Sequence, residues 1–210
     1  MREVAKGTQM SKTTNRRKVL AVLAGGLVLG VGAAITLAAW NDSEFATGTF
    51  TAGAFNLEGS TTAANGGYGD HATAGAAGAL TFSAPFANMA PGDVVYAPFW
   101  VRLDATTTAD ATLTAATPTA VGANAAHISY NVYAIAPAAT CGPSATSGTL
   151  VASGTSLTDF TAGATVALAK GATVGTAGTP AQLCFQATAK PSLVQGQTAT
   201  GTWSFTATSN

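Results

Sequence analysis

The sequence has little charge and almost none of the usual inventory for chemistry. Of 210 residues, 9 are Lys or Arg and 9 are Asp or Glu. That scarcity excludes long exposed helices knitted together by Glu–Lys pairs. Disorder driven by high charge and low hydrophobicity is excluded as well, because 47% of the chain is apolar. There are two His and two Cys, with no His-Glu-x-x-His and no Cys-x-x-Cys. The usual zinc spacings are therefore missing. No Gly-x-Ser-x-Gly marks a nucleophile, and no Gly-rich turn links a strand to a helix as a phosphate cradle. Beyond residue 39, no segment sets apolar residues at helical spacing opposite charged ones.

What is present is unevenly distributed. The formal net charge is zero. Residues 1–18 hold six basic groups, among them Arg16, Arg17 and Lys18, and a single acid, Glu3. Residues 40–210 hold three basic groups (Arg102, Lys170, Lys190) and eight acids. Residues 19–39 between them carry no charge, and all sixteen aromatics lie at or beyond Trp40. A basic head, an apolar run and an acidic body is the layout of an exported protein. Once the head is set aside, no electrostatic footprint for nucleic acid is left. Residues 1–39 read as a signal peptide, with a basic n-region over 1–18 and an h-region over 19–39. Cleavage is expected between Ala39 and Trp40, after the small pair Ala38-Ala39. The h-region is also long enough to span a bilayer, so a retained anchor is the rival reading. Arg16-Arg17 is expected to belong to an ordinary n-region, since Lys18-Val19-Leu20 fits a twin-arginine signal poorly.

The body, residues 40–210, reads as one all-β antiparallel sandwich. Short strands are expected at 49–57, 79–83, 94–103, 109–116, 127–135, 149–152, 165–170, 182–189 and 200–208, separated by Gly, Pro, Ser and Thr clusters. Residues 200–208 alternate most cleanly. Trp203, Phe205 and Ala207 share one face, and Thr202, Ser204, Thr206 and Thr208 share the wet one. Pro98 marks an edge or a bulge within 94–103. Pro91-Gly92 before it is a type II turn signal. Residues 60–78 and 137–148 read as surface loops. Phe45, Phe50 and Phe55 recur every five residues, so Phe45 and Phe55 share a face and Phe50 takes the other.

Cys141 and Cys184 both lie in the exported part and are expected to pair, the alternative being two unrelated thiols. Neither His71, beside Asp70 in a Gly-rich loop, nor His127 is expected to be a ligand. Asp104 and Asp110 flank a Thr-rich turn. They could in principle serve glycoside hydrolysis or a calcium site, but no further acids accompany them. No catalytic residue, cofactor or metal ligand is expected.

Residues 23–60 carry a Gly-rich h-region and Ala38-Ala39 followed by an aromatic and Asn41-Asp42. A Phe/Gly repeat then ends in Phe55-Asn56-Leu57. This stretch resembles the signal and first strand of TasA/camelysin-type proteins, which leave the cell through a SipW-type signal peptidase. The likeness extends more weakly to residues 89–93 and 195–209 and does not cover 104–181. It implies cleavage before Trp40 and a jelly-roll-like sandwich. It also implies biofilm-matrix fibres in which the N-terminal strand of one subunit completes the sheet of the next. Phe45, Phe50 and Phe55 would be the anchors of that strand. The expected partners are further copies of the chain and the signal peptidase. The camelysin branch implies the alternative of an extracellular metallopeptidase. A third expectation, from the residues themselves, is a surface module that stacks a glycan or host protein on Tyr68, Tyr96, Trp100 or Tyr133.

Overall fold

The computed structural model of the chain describes residues 12–35 and 43–210. The chain divides into two units at Phe50/Thr51. In the first unit, α1 runs from Lys12 to Ile35. Residues 15–27 on it are exposed. Among the described residues no helix is long and apolar enough to cross a membrane; the apolar run 19–39 extends beyond α1. Residues 43–50 form no helix or strand. Ala39 and Trp40 lie outside the described residues.

The second unit is built from nine strands: β1 (Leu57–Ser60), β2 (Val94–Leu103), β3 (Ala111–Val121), β4 (Ile128–Ile135), β5 (Thr149–Gly154), β6 (Thr161–Ala162), β7 (Val166–Leu168), β8 (Ala181–Ala189) and β9 (Thr200–Ser209). They make two antiparallel sheets, ordered β1-β2-β8-β4-β5-β6 and β7-β3-β9. The core lies between them. Val101, Leu103, Val132, Leu183 and Phe185 of the large sheet meet Ala111, Leu113 and Leu168 of the small one. Trp203, Phe205 and Ala207 of β9 pack against this cluster, while Ser204, Thr206 and Thr208 stay exposed. The alternation read in β9 is therefore the alternation between core and water.

Local chemistry explains the joints. Pro91 and Gly92 make the turn into β2, with Gly92 at φ 94° and Asp93 N–H donating to Ala90 O at 3.0 Å. Pro98 sits within β2, between β1 and β8, yet removes no ladder bond. Tyr96 turns its backbone outward to Ser83, so Pro98, two residues on, faces the same edge. β1 reaches only as far as Trp100, and Pro98 falls in the gap. Pro118 occupies the irregularity in β3 between Ala116 and Thr119, a position that needs no donor.

Two expectations are corrected. Residues 49–57 do not form a strand, and β1 begins at Leu57. From Ala54 onward the segment is held by side chains and turns instead, through Thr108 N–H to Ala54 O at 3.0 Å and Asn56 N–H to Thr107 Oγ1 at 2.9 Å. Residues 79–83 are not a strand either. They pack Leu80 and Phe82 against the core and tie down through Ser83. The loop at 60–78 is more ordered than its composition implies. Ser60 is fully buried, and its Oγ donates to Gly66 O at 2.7 Å and accepts the Thr62 and Ala63 N–H groups. The Arg102 guanidinium lies 3.8 Å over the Tyr68 ring and bonds Glu58 at 2.6 Å.

Leu183 is fully buried at the centre of the large sheet. Leu183→Ala is expected to destabilise the protein by about 2–5 kcal/mol, read as a lower midpoint in urea with an unchanged slope.

Candidate functional site

The sequence places its most exposed large aromatics and its longest open strand edge in different stretches of chain. Phe45 and Phe50 are 96% and 97% exposed, and Phe55 is 42% exposed. Such rings lose their favourable burial to water, at about 1.5–3 kcal/mol each.

Sheet edges differ sharply in length. β1 has four residues, β6 two and β7 three, whereas β9 has ten. Short edges resist pairing with other chains; a long one invites it. Asn210 N–H donates to Asp110 O, which directs the even-numbered residues of β9 toward β3. The odd-numbered ones, including Trp203, Phe205 and Ala207, direct their N–H and C=O groups away from the sheet. Among the described residues no strand pairs with that side.

Along this edge runs an open cleft of about 580 Å³ between the two sheets. One wall is Gly201 to Ala207; the other includes Leu57, Phe99 and Val101, with Phe185 between. Its only ionisable lining groups are Glu58, already paired with Arg102, and His71. His71 Nδ1 donates to Ala76 O at 3.0 Å, which orients the ring toward Phe99. Trp203 stands edge-on to Phe185 and Tyr130, at 5.1 and 5.5 Å between ring centres. Its indole Nε1 is buried without a partner. A second cleft of about 400 Å³ lies behind the 77–89 segment and shares Leu80 and Trp203 with the first.

The remaining candidates fall elsewhere. Cys141 and Cys184 form a disulfide, with Cα atoms 5.3 Å apart. It fixes the 136–148 loop over the outer face of the large sheet. Buried Gln182 supports the same loop, with its amide assigned so that the nitrogen faces the carbonyls of Ala136, Pro137 and Ala139, each 3.0 Å away. Trp100 Nε1 adds a bond to Pro137 O at 2.9 Å.

Asp104 and Asp110 are both engaged in holding the backbone. Burial pushes the Asp104 carboxyl up. Hydrogen bonds from Thr107 and Thr106 outweigh that and hold it below the usual carboxylate range. Asp110 accepts the Lys170 N–H at 2.9 Å. His127 Nδ1 pairs with Ser192 Oγ at 2.8 Å. Among the described residues no three His, Cys, Asp or Glu side chains converge as a metal site. Of the four proposed stacking residues, Tyr68 is engaged under Arg102 and Trp100 is buried under the disulfide loop; Tyr96 and Tyr133 remain half-exposed on one face.

The sequence located β9 but not its place at the rim of a sheet, because edge position depends on which strands pair. No family model matches the chain, and no curated protein matches it either.

Two variants probe this framework. A folded-state pKa below the unfolded value stabilises above that unfolded value, and the effect is lost as pH falls through the folded one. Asp104→Asn is therefore expected to lower the melting temperature at neutral pH and to match the unmodified protein once pH drops below the depressed pKa. Cys141→Ser with Cys184→Ser removes a 43-residue crosslink. A loss of about 2–5 kcal/mol is expected in chemical denaturation.

Proposed function

We propose that the chain is an exported structural protein, a cell-surface or biofilm-matrix fibre subunit that assembles by strand addition. Cleavage between Ala39 and Trp40 would release residues 40–53 of each copy, since residues 54–57 are tied to their own sandwich. That segment would then lie along β9 of the next copy. The carrying observation is the ten-residue open edge of β9 beside an aromatic-lined cleft whose one carboxylate, Glu58, is already paired with Arg102. The nearly fully exposed Phe45 and Phe50 supply the matching ligand.

The physics of the match is that of peptide addition to a sheet edge. The main chain of the added strand pairs with unsatisfied N–H and C=O groups, and alternate side chains enter pockets. At a strand period of two, one of Phe45 and Phe50 enters the cleft and the other lies over the threonine face of β9. The disulfide supports export, since such bonds persist in oxidising compartments. Low charge density keeps repulsion between copies weak. The jelly-roll-like character of the sandwich belongs to this same reading and rests on the resemblance in the export segment. No catalytic residue and no cofactor is part of it.

Electron microscopy of protein lacking residues 1–39 is expected to show filaments, and further deletion of residues 40–53, which leaves the residues bonded to the sandwich in place, to abolish them. Phe45→Ser and Phe50→Ser are expected to weaken assembly unequally, because only one ring occupies the cleft. Monomers persisting at high concentration in the leader-free protein would contradict the proposal.

A further inference from the structure

The outer face of the large sheet is divided in two. Over one half, the 60–69 loop and the disulfide-pinned 136–148 loop bury Ser60, Trp100, Gln182 and Cys184. The other half is uncovered, and its floor is ordered by side chains rather than by chance proximity. Tyr96, Gln186 and Asn131 stand side by side on β2, β8 and β4. Asn131 Nδ2 donates to Gln186 Oε1 at 3.0 Å, and Gln186 Nε2 donates to Tyr96 Oη at 3.2 Å. One rung further along, Tyr133 lies next to Cys184, so the two tyrosines flank the amide pair diagonally. The covered half, held by the disulfide, rises beside Tyr133 as a ledge.

Three features define what such a floor can hold. Its side chains are amides, hydroxyls and aromatic rings, with no acid or base among them, which selects an uncharged partner. Each amide has spent only part of its capacity: Asn131 keeps its carbonyl oxygen and one N–H, Gln186 keeps one N–H, and Tyr96 keeps its own O–H. Their mutual bonds fix their rotamers, so little side-chain entropy is lost on binding. Hydroxyl-rich rings with apolar faces satisfy all of these at once. The hydroxyls meet the amides, and the apolar face meets Tyr133 or Tyr96.

We propose that this face, built on Tyr96, Asn131, Tyr133 and Gln186, binds a neutral polysaccharide chain. The site lies on the opposite side of the large sheet from the β9 cleft and does not depend on strand addition. A subunit with both could anchor to a glycan while its edge stays free for another copy.

The test is native affinity electrophoresis of the full chain in gels containing soluble β-1,3-glucan, hydroxyethyl cellulose or, as a charged control, polygalacturonate. Retardation by a neutral glucan is expected, with none by polygalacturonate. Tyr133→Ala is expected to weaken it about tenfold, the effect of one lost ring contact. Asn131→Ala should weaken it too, while Tyr96→Phe, which keeps the ring, should retain part of it. Thermal melts of the same variants establish that each is folded, and Tyr133→Ser substitutes for any that is not. No retardation by either neutral glucan would overturn the proposal. So would retardation unchanged in a folded Tyr96→Ala, Tyr133→Ala double variant. If those substitutions instead disperse filaments, the face is an interface between copies and the glycan assignment fails.

Discussion

Backbone N–H and C=O groups along a strand need partners, and among the described residues the longest edge left without a partner strand is β9. The large sheet ends in strands of four and two residues, and the small sheet ends in three residues at β7. Those ends are too short to recruit another chain efficiently. At β9 ten residues run along the rim with one side open. The inward rings of Trp203 and Phe205 leave a cleft beside that rim instead of a sealed core. An unfilled edge beside an unfilled cleft is a matched pair of deficits, and one added strand would repair both.

The rest of the unit keeps that edge in place. A chain this poor in charge has few ion pairs to draw on, and Glu58–Arg102 is the closest described. Order comes instead from small polar devices. The buried Ser60 hydroxyl folds a Gly-rich loop, Asp104 ties the turn before β3, and Gln182 with the disulfide clamps the 136–148 loop. On the outer face of the large sheet the Tyr96–Gln186–Asn131 row is held in the same way, by hydrogen bonds between its own side chains.

Much of this was legible in the residues. The strands expected over 94–103, 182–189 and 200–208 match β2, β8 and β9 to within a residue, and over 200–208 the two-residue period gave the two faces as well, because a half-buried strand writes them into its composition. The Pro91-Gly92 turn was legible for a similarly local reason, and the Cys141–Cys184 bridge because the chain has just two cysteines to pair. Residues 49–57 misled, since aromatic and Thr-rich composition reports a willingness to pair and not the presence of a partner. The cleft and the open rim were invisible for the same reason. They depend on the order β7-β3-β9, a long-range arrangement that no window of sequence contains. The four candidate stacking residues divided according to which loops fold over them, which composition does not encode.

In the proposed assembly the Phe-bearing segment of one copy lies along β9 of another. Mixing leader-free Phe50→Cys protein with leader-free copies carrying Ser204→Cys, Thr206→Cys or Thr208→Cys, under mild oxidation, measures that contact directly. A crosslinked heterodimer is expected for at least one of the three positions, enriched in the filament fraction. Filaments that form without any crosslink between the two variants would contradict it.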